Sequence, residues 1–369
     1  MTTYTERFPS HAVEIVGGLE LEPVADGVRV RRLPAWTRPQ ISDIVGDFVV
    51  SMTSGVRLEF RTAATEIELV VAATAPTTAE GVPAPAVLEL VAGDAVPVRR
   101  RIPNEALSLI DPVRGIWRPG RPHAVRFTGL PASDKRVELW LPHATATEVH
   151  ELRTDAPVRP SGPDPRRRWL HHGSSISQGG EAESPLGTWP VVAARRAGVR
   201  IHNLGFSGNA VADPYVARTM RDLPADLISL EIGINVVNGD VMRRRTFGPA
   251  VHGFLDTLRE RHVETPIVLI SPIPCPAVET LPGPTSTEGS RTFSIGDPRQ
   301  LALGALSLTG IREELARVVE RRADPNLSLL DGHRLFRPDE VTDLDDGLHP
   351  NARALGRMGK RFADLVLGS

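Results

Sequence analysis

Four short segments of this chain carry residues suited to acyl transfer. They are Gly173-Ser174-Ser175-Ile176-Ser177, Gly205-Phe206-Ser207-Gly208-Asn209, Gly233-Ile234-Asn235 and Asp346-Gly347-Leu348-His349-Pro350. A serine hydroxyl attacks a carbonyl once a base takes its proton, and the usual base is a histidine oriented by a carboxylate. The last segment holds both partners. Asp346 lies three residues before His349, so one tight turn brings its carboxylate to the imidazole Nδ1. The second and third segments offer donors for the negative charge of a tetrahedral intermediate: backbone N–H groups at glycine turns and the Asn235 amide.

Such residues act together only if the fold brings them to one place, and the pattern after residue 168 does this. Apolar runs at Trp169–His172, Ile201–Leu204, Leu227–Ile232, Ile267–Ile270 and Leu327–Leu330 read as strands. Segments at Thr188–Ala197, Tyr215–Arg221, Phe247–Arg261, Ile311–Arg322 and Ala352–Leu367 read as helices between and after them. Thr188 is available as a cap, and Pro249 is expected in a first turn. Strand–helix repetition implies a parallel sheet covered on both faces, and ligands of such sheets gather beyond the carboxyl ends of the strands. Three of the four segments directly follow a predicted strand, and the fourth precedes the last helix. Residues 275–300 are too long for an ordinary connection and are expected to form a lid or to be disordered.

The first 150 residues have another rhythm. Val28–Arg32, Val56–Arg61, Glu66–Ala72, Ala86–Val91, Ala124–Thr128 and Arg136–Leu141 read as short strands, divided by turn formers such as Gly129-Leu130-Pro131. In Val56–Arg61 the apolar Val56, Leu58 and Phe60 alternate with Arg57, Glu59 and Arg61, which predicts one buried and one wet face. With no convincing amphipathic helix, this half is expected to be an antiparallel β-sandwich, of jelly-roll or carbohydrate-binding-module kind. The expected organisation is a sandwich over 1–153, a linker rich in proline and arginine over 154–168, and a catalytic α/β domain over 169–369.

The four segments resemble the four blocks of the SGNH, or GDSL, hydrolase superfamily. Ser175 matches the first block, Gly208 the second, Asn235 of Gly-x-Asn the third, and Asp346-x-x-His349 the last. A single block occurs often by chance; four in order, each where the fold needs it, do not. The sandwich placed ahead of this domain is similar to a two-domain branch that includes GDSL-like acylhydrolases and acyltransferases tailoring aromatic polyketides such as tetracyclines. The resemblance implies a flavodoxin-like catalytic domain and no cofactor. It also implies Ser175, Asp346 and His349 as the triad, with Ser175, Gly208 and Asn235 at the oxyanion. Two positions depart from the family pattern: Ser174 stands where Gly-Asp-Ser has its acid, and Val236 where Gly-x-Asn-Asp has its second acid. Aligning Gly173 with the family glycine selects Ser175 over Ser174 as nucleophile.

The expected activity is hydrolysis of a carboxylic ester or thioester through an acyl-enzyme. One alternative is transfer of the acyl group from a thioester donor to a hydroxyl of a natural product, such as a glycoside or polyketide acceptor. Another is a carbohydrate-binding module joined to an inactive hydrolase domain. Trp189 and Asn238 are candidates for substrate contact, although Trp189 reads first as structural. His171, His172 and Cys275 read as packing residues, and no metal is expected.

Composition narrows the classes further. The 43 Lys+Arg and 45 Asp+Glu nearly cancel, leaving no charge footprint for nucleic acid or an anionic membrane. Lys135 and Lys360 are the only lysines, an arginine bias that reflects codon usage rather than chemistry. One cysteine, Cys275, permits no intrachain disulfide. No apolar run is long enough to span a bilayer. The first residues lack a basic and then apolar leader pattern, so a cytoplasmic location is expected.

Overall fold

The structure, a computed structural model, describes residues 3–41, 44–77, 82–111, 114–289 and 291–368. It divides into two compact units: Met1–Pro165 with Glu183–Leu186, and Arg166–Ala182 with Gly187–Ser369.

The first unit is a β-sandwich. An eight-stranded sheet is built around Ile67–Pro76 and Ala146–Thr154, and a six-stranded sheet around Arg57–Thr62 and Lys135–Trp140. One apolar cluster joins them, with Val30, Leu69, Val71, Val149 and Leu152 from the first sheet and Leu58, Phe60, Leu88, Val137 and Leu139 from the second. All six strands read from the sequence are present. The sheets are not wholly antiparallel, since Thr74–Pro76 pairs in parallel with Ser108–Ile110. The expected wet face is also corrected. Arg57 and Glu59 are 1% and 0% exposed, paired at 2.7 Å, with Arg136 on Glu59 as well and the Arg57 guanidinium over the Trp140 ring. Alternation identifies a polar face, but a polar face lined by ion pairs need not be wet. A helix at Ile44–Ser51 was not legible, because Gly46 and the β-branched Val45, Val49 and Val50 carry little helix preference.

The stretch 154–165 is part of this unit. Val158–Arg159 extends the six-stranded sheet beside Arg57–Thr62. The Asp155 carboxylate accepts from the Thr65 and Glu66 N–H groups at 2.9 and 3.1 Å. The sandwich thus runs past residue 153, and only Arg166–Arg168 of the expected linker fall in the second unit.

The second unit is a five-stranded parallel sheet. Its strands are β1 (Arg168–Gly173), β2 (Arg200–Gly205), β3 (Leu227–Glu231), β4 (Ile267–Ile270) and β5 (Leu327–Leu330), in the spatial order β2-β1-β3-β4-β5. The helices are α1 (Ser175–Gln178), α2 (Trp189–Ala197), α3 (Pro214–Asp222), α4 (Ile234–Asn238), α5 (Arg244–Arg259), α6 (Leu308–Arg322) and α7 (Ala352–Phe362). Strand β1 shows how both faces are covered. Trp169 packs on Trp189 of α2 and Phe362 of α7, while His172, on the opposite face, stacks on Phe254 of α5. Thr188 occupies the N-cap of α2 without its side chain capping it. Helix α5 starts earlier than its apolar pattern, so Pro249 lies inside it rather than in its first turn.

The described residues between 275 and 300 carry regular structure. Thr285–Glu288 and Arg291–Ser294 form an antiparallel hairpin, followed by a 3-10 turn at Pro298–Leu303. Among the described residues no helix is long and apolar enough to cross a membrane.

Candidate active site

Ser175 opens α1 at the end of β1, with Ser174 as the N-cap accepting from Ile176 N–H at 3.2 Å. The Ser175 hydroxyl lies 2.8 Å from His349 Nε2. His349 Nδ1 lies 2.6 Å from Asp346 Oδ2. The other oxygen of Asp346 accepts from the Leu348 and His349 backbone N–H groups at 2.9 and 2.7 Å. These bonds assign the protons. Carboxylate oxygens only accept, so Nδ1 carries hydrogen and Nε2 presents its lone pair to the serine O–H.

The electrostatics follow from this arrangement. Burial alone raises the Asp346 carboxyl, but the bond to His349, its charge and the two backbone donors bring it down to about 2. Burial alone lowers the His349 imidazole, yet its bond to Asp346 and the charges of Glu181 and Asp346 leave it above its ordinary value of 6.5. Glu181 stands 3.9 Å from His349 Nδ1 with 39% of its side chain exposed. Its own carboxyl is raised, first by burial and further by Asp346 and Asp345, against the pull of His349.

The acid–histidine turn is held from outside. Gly347 has φ +78°, which lets the Asp346–His349 segment fold back on itself. Thr292, in the hairpin of 275–300, donates its N–H to the Asp346 carbonyl at 2.9 Å. The Cys275 thiol points at the Gly347 carbonyl at 3.4 Å and is pushed up to about 11 by burial, so it is an inert packing group. Two residues of the segment expected to be a lid or disordered, Cys275 and Thr292, thus brace the Asp346–His349 turn.

Around the segments of Gly208 and Asn235, the expected oxyanion donors, hydrogen bonds stitch three loops together. Phe206 N–H reaches the Gly173 carbonyl at 2.7 Å. Ser207 N–H reaches Gln178 Oε1 at 3.1 Å. Ala210 N–H reaches Asn235 Oδ1 at 3.0 Å. The last bond fixes the orientation of the Asn235 amide and turns its Nδ2 donors away from the 210 backbone. Gly208 adopts φ +72° with open space where a Cβ would stand, so backbone conformation rather than crowding calls for glycine there. Neither the Ser175 N–H nor the Gly208 N–H has a hydrogen-bond partner among the described residues, which leaves both available to a substrate oxygen.

The remaining residues singled out from the sequence divide clearly. Trp189 is 1% exposed and enclosed by Trp169, His171 and Phe362. A substrate contact there is ruled out, because the first turn of α2 faces the core. Asn238 ends α4, half-buried, with Oδ1 unpartnered. His171 and His172 are fully buried. His171 is lowered to about 3, chiefly by burial, and so is neutral. Among the described residues no cluster of His, Cys, Asp or Glu is arranged to hold a metal. Val236, where the family pattern has an acid, is 0% exposed. A carboxylate there would cost several kcal/mol of desolvation.

Sequence reasoning missed Gln178, Glu181, Thr292 and Glu231. Glu231 gave one signal, an acid near the end of the largely apolar run Leu227–Ile232.

The fold and this arrangement define an SGNH-type enzyme, a serine esterase or acyltransferase. Residues 172–354 match the GDSL-like Lipase/Acylhydrolase family, and this part of the chain belongs to it. Similar solved structures include SsfX3, a salicylyl-acyltransferase from a tetracycline biosynthetic pathway, with TM-score 0.81 and 27% identity over 97% of this chain and 95% of that one. A family two carbohydrate esterase from Cellvibrio japonicus has TM-score 0.62 and 12% identity over 98% and 96%. The acetyl xylan esterase Est2A from Butyrivibrio proteoclasticus has TM-score 0.56 and 13% identity over 99% and 97%. At these lower identities the likeness is one of fold. No curated protein sequence matches the chain.

Proposed function

We propose that the chain is a serine acyl hydrolase acting on a small-molecule carboxylic ester or thioester through Ser175, His349 and Asp346. The observation that carries this is the continuous relay from Ser175 Oγ to His349 Nε2 at 2.8 Å and from Nδ1 to Asp346 at 2.6 Å. Ser175 Oγ attacks the carbonyl carbon as its proton passes to Nε2. The oxyanion takes hydrogen bonds from Ser175 N–H, Gly208 N–H and Asn235 Nδ2. Collapse expels the alcohol or thiol, which receives the proton from His349. Water then attacks the acyl-enzyme by the same route in reverse roles.

A second reading replaces that water by a hydroxyl of an acceptor such as a glycoside or polyketide. Its support is the likeness to the salicylyl-acyltransferase, which has the highest identity and TM-score of the three relatives described and spans nearly both chains. A binding module with an inactive domain has against it a relay with every proton assigned. A cytoplasmic setting belongs to this proposal; it fits a lone, buried cysteine that no oxidising compartment could pair within the chain.

The test incubates the protein with aryl esters and with acyl-CoAs, with and without alcohol acceptors, and identifies products by mass. Free acid alone supports the hydrolase, and acylated acceptor supports the transferase. Absence of both, together with no labelling by a fluorophosphonate, would overturn the proposal.

A further inference from the structure

Behind the nucleophile lies a buried acid that the relay does not use. Glu231, the last residue of β3, is 4% exposed. Its Oε2 accepts three hydrogen bonds: from Ser174 N–H at 2.8 Å, Ser174 O–H at 2.7 Å and Ser177 O–H at 3.1 Å. These donors flank Ser175 on both sides. The approach depends on Gly173, where an added Cβ would stand 2.3 Å from Ser177 Oγ and 2.8 Å from Glu231 Oε2.

The network continues inward with one consistent set of protons. Ser177 gives its only O–H to Glu231, so at 2.8 Å it must accept from His171 Nε2–H. His171 is then an acceptor at Nδ1, taking Ser229 O–H at 2.7 Å. Ser229 accepts Trp169 Nε1–H at 2.8 Å. Every hydroxyl in this chain both donates and accepts, and the chain ends on the one carboxylate. A buried network in which every hydroxyl is satisfied rigidifies what it touches.

The sequence places serine at 174, where the family's Gly-Asp-Ser block has an acid. The geometry points to Glu231 as the positioning residue for the nucleophile turn, its carboxylate reaching from β3 the spot beside Ser175 that an acid at 174 would otherwise occupy. It acts through Ser174 and Ser177 and does not touch the reacting atoms. This inference rests on Ser175 being the nucleophile.

The test compares wild type, Ser175→Ala, Glu231→Gln and Glu231→Gln with Ser174→Asp in the full chain. p-Nitrophenyl acetate is the substrate and a fluorophosphonate the titrant. Thermal melts establish that each variant is folded, and active-site titration counts competent molecules. Glu231→Gln keeps the volume and an oxygen that can accept, but removes the negative charge that holds the three donors. A slightly misplaced nucleophile costs up to about 10²-fold, so kcat per titrated site and the fluorophosphonate labelling rate should both fall about 10- to 100-fold, with KM nearly unchanged. A merely structural loss would lower the titrated fraction and leave the rate per site alone. The double variant returns a carboxylate from the other side and should regain about tenfold over Glu231→Gln. Glu231→Gln with wild-type kcat and labelling per titrated site overturns the inference. An active Ser175→Ala overturns instead the reading on which it rests.

Discussion

Asp346→Asn tests whether the carboxylate sets the protonation of the relay or merely holds a turn. In the native turn one oxygen of Asp346 accepts two backbone N–H groups and the other accepts His349 Nδ1–H. An asparagine must keep its oxygen on the backbone donors, so its NH2 faces Nδ1. His349 then presents a lone pair at Nδ1 and carries its hydrogen on Nε2, facing Ser175. In that tautomer it accepts no proton from the hydroxyl, and kcat should fall by about 10⁴. The stability effect is much smaller. The carboxyl moves from 3.8 to about 2 on folding, about 2.4 kcal/mol at 1.36 per unit. With 34% of the side chain exposed, solvent screening reduces this to roughly 1–2 kcal/mol. Because the folded value is depressed, this stability is present above about 3.8 and is lost as pH falls through about 2. Wild type and variant should therefore differ at neutral pH and converge in strong acid. Steady-state hydrolysis of p-nitrophenyl acetate gives kcat, ¹⁵N spectra of the imidazole give the tautomer, and urea melts give the stability. A variant with kcat within tenfold of wild type, or with Nδ1 still protonated, would refute the reasoning.

Other outcomes follow from the same geometry. Ser175→Ala should remove turnover by several orders of magnitude with an unchanged melting curve. Ser174→Ala should keep much of the activity, because its backbone N–H still reaches Glu231; the reverse pattern in kinetics would move the nucleophile to 174. Asn235→Ala should lower kcat about 10²–10³-fold with little change in KM, since the amide acts on charge that develops in the transition state. A normal kcat would remove Asn235 from the oxyanion site. The rate requires neutral His349, whose folded pKa is raised, so kcat/KM should climb with pH through a midpoint above 6.5. Glu181→Gln removes one of the charges that raise it and should move that midpoint down, and an unmoved midpoint in the pH profile would exclude Glu181 from the field at His349.

The amino-acid sequence by itself determined the order of the catalytic blocks and the sheet that gathers them. Parallel strands buried on both faces read as continuous apolar runs, and the rule that ligands meet beyond their carboxyl ends turns such a list into a site. Asp346 and His349 were legible as a pair because three residues span one turn. Local pattern could not decide what distant chain segments do to a residue. Arg57 and Glu59 alternate as a wet face would, yet they are buried because each finds an opposite charge. The 275–300 segment has the composition of a loose loop, yet Thr292 donates to Asp346. Trp189 is as well suited by type to a pocket as to a core, and only its packing on Trp169 and Phe362 assigns it. Glu231 is the sharpest case. Its carboxylate meets Ser174 across 57 residues, a contact made by the adjacency of β1 and β3 in the sheet. Adjacency of that kind belongs to tertiary structure, and with it comes the burial that makes one carboxylate and three hydrogen bonds a fixed support for the nucleophile.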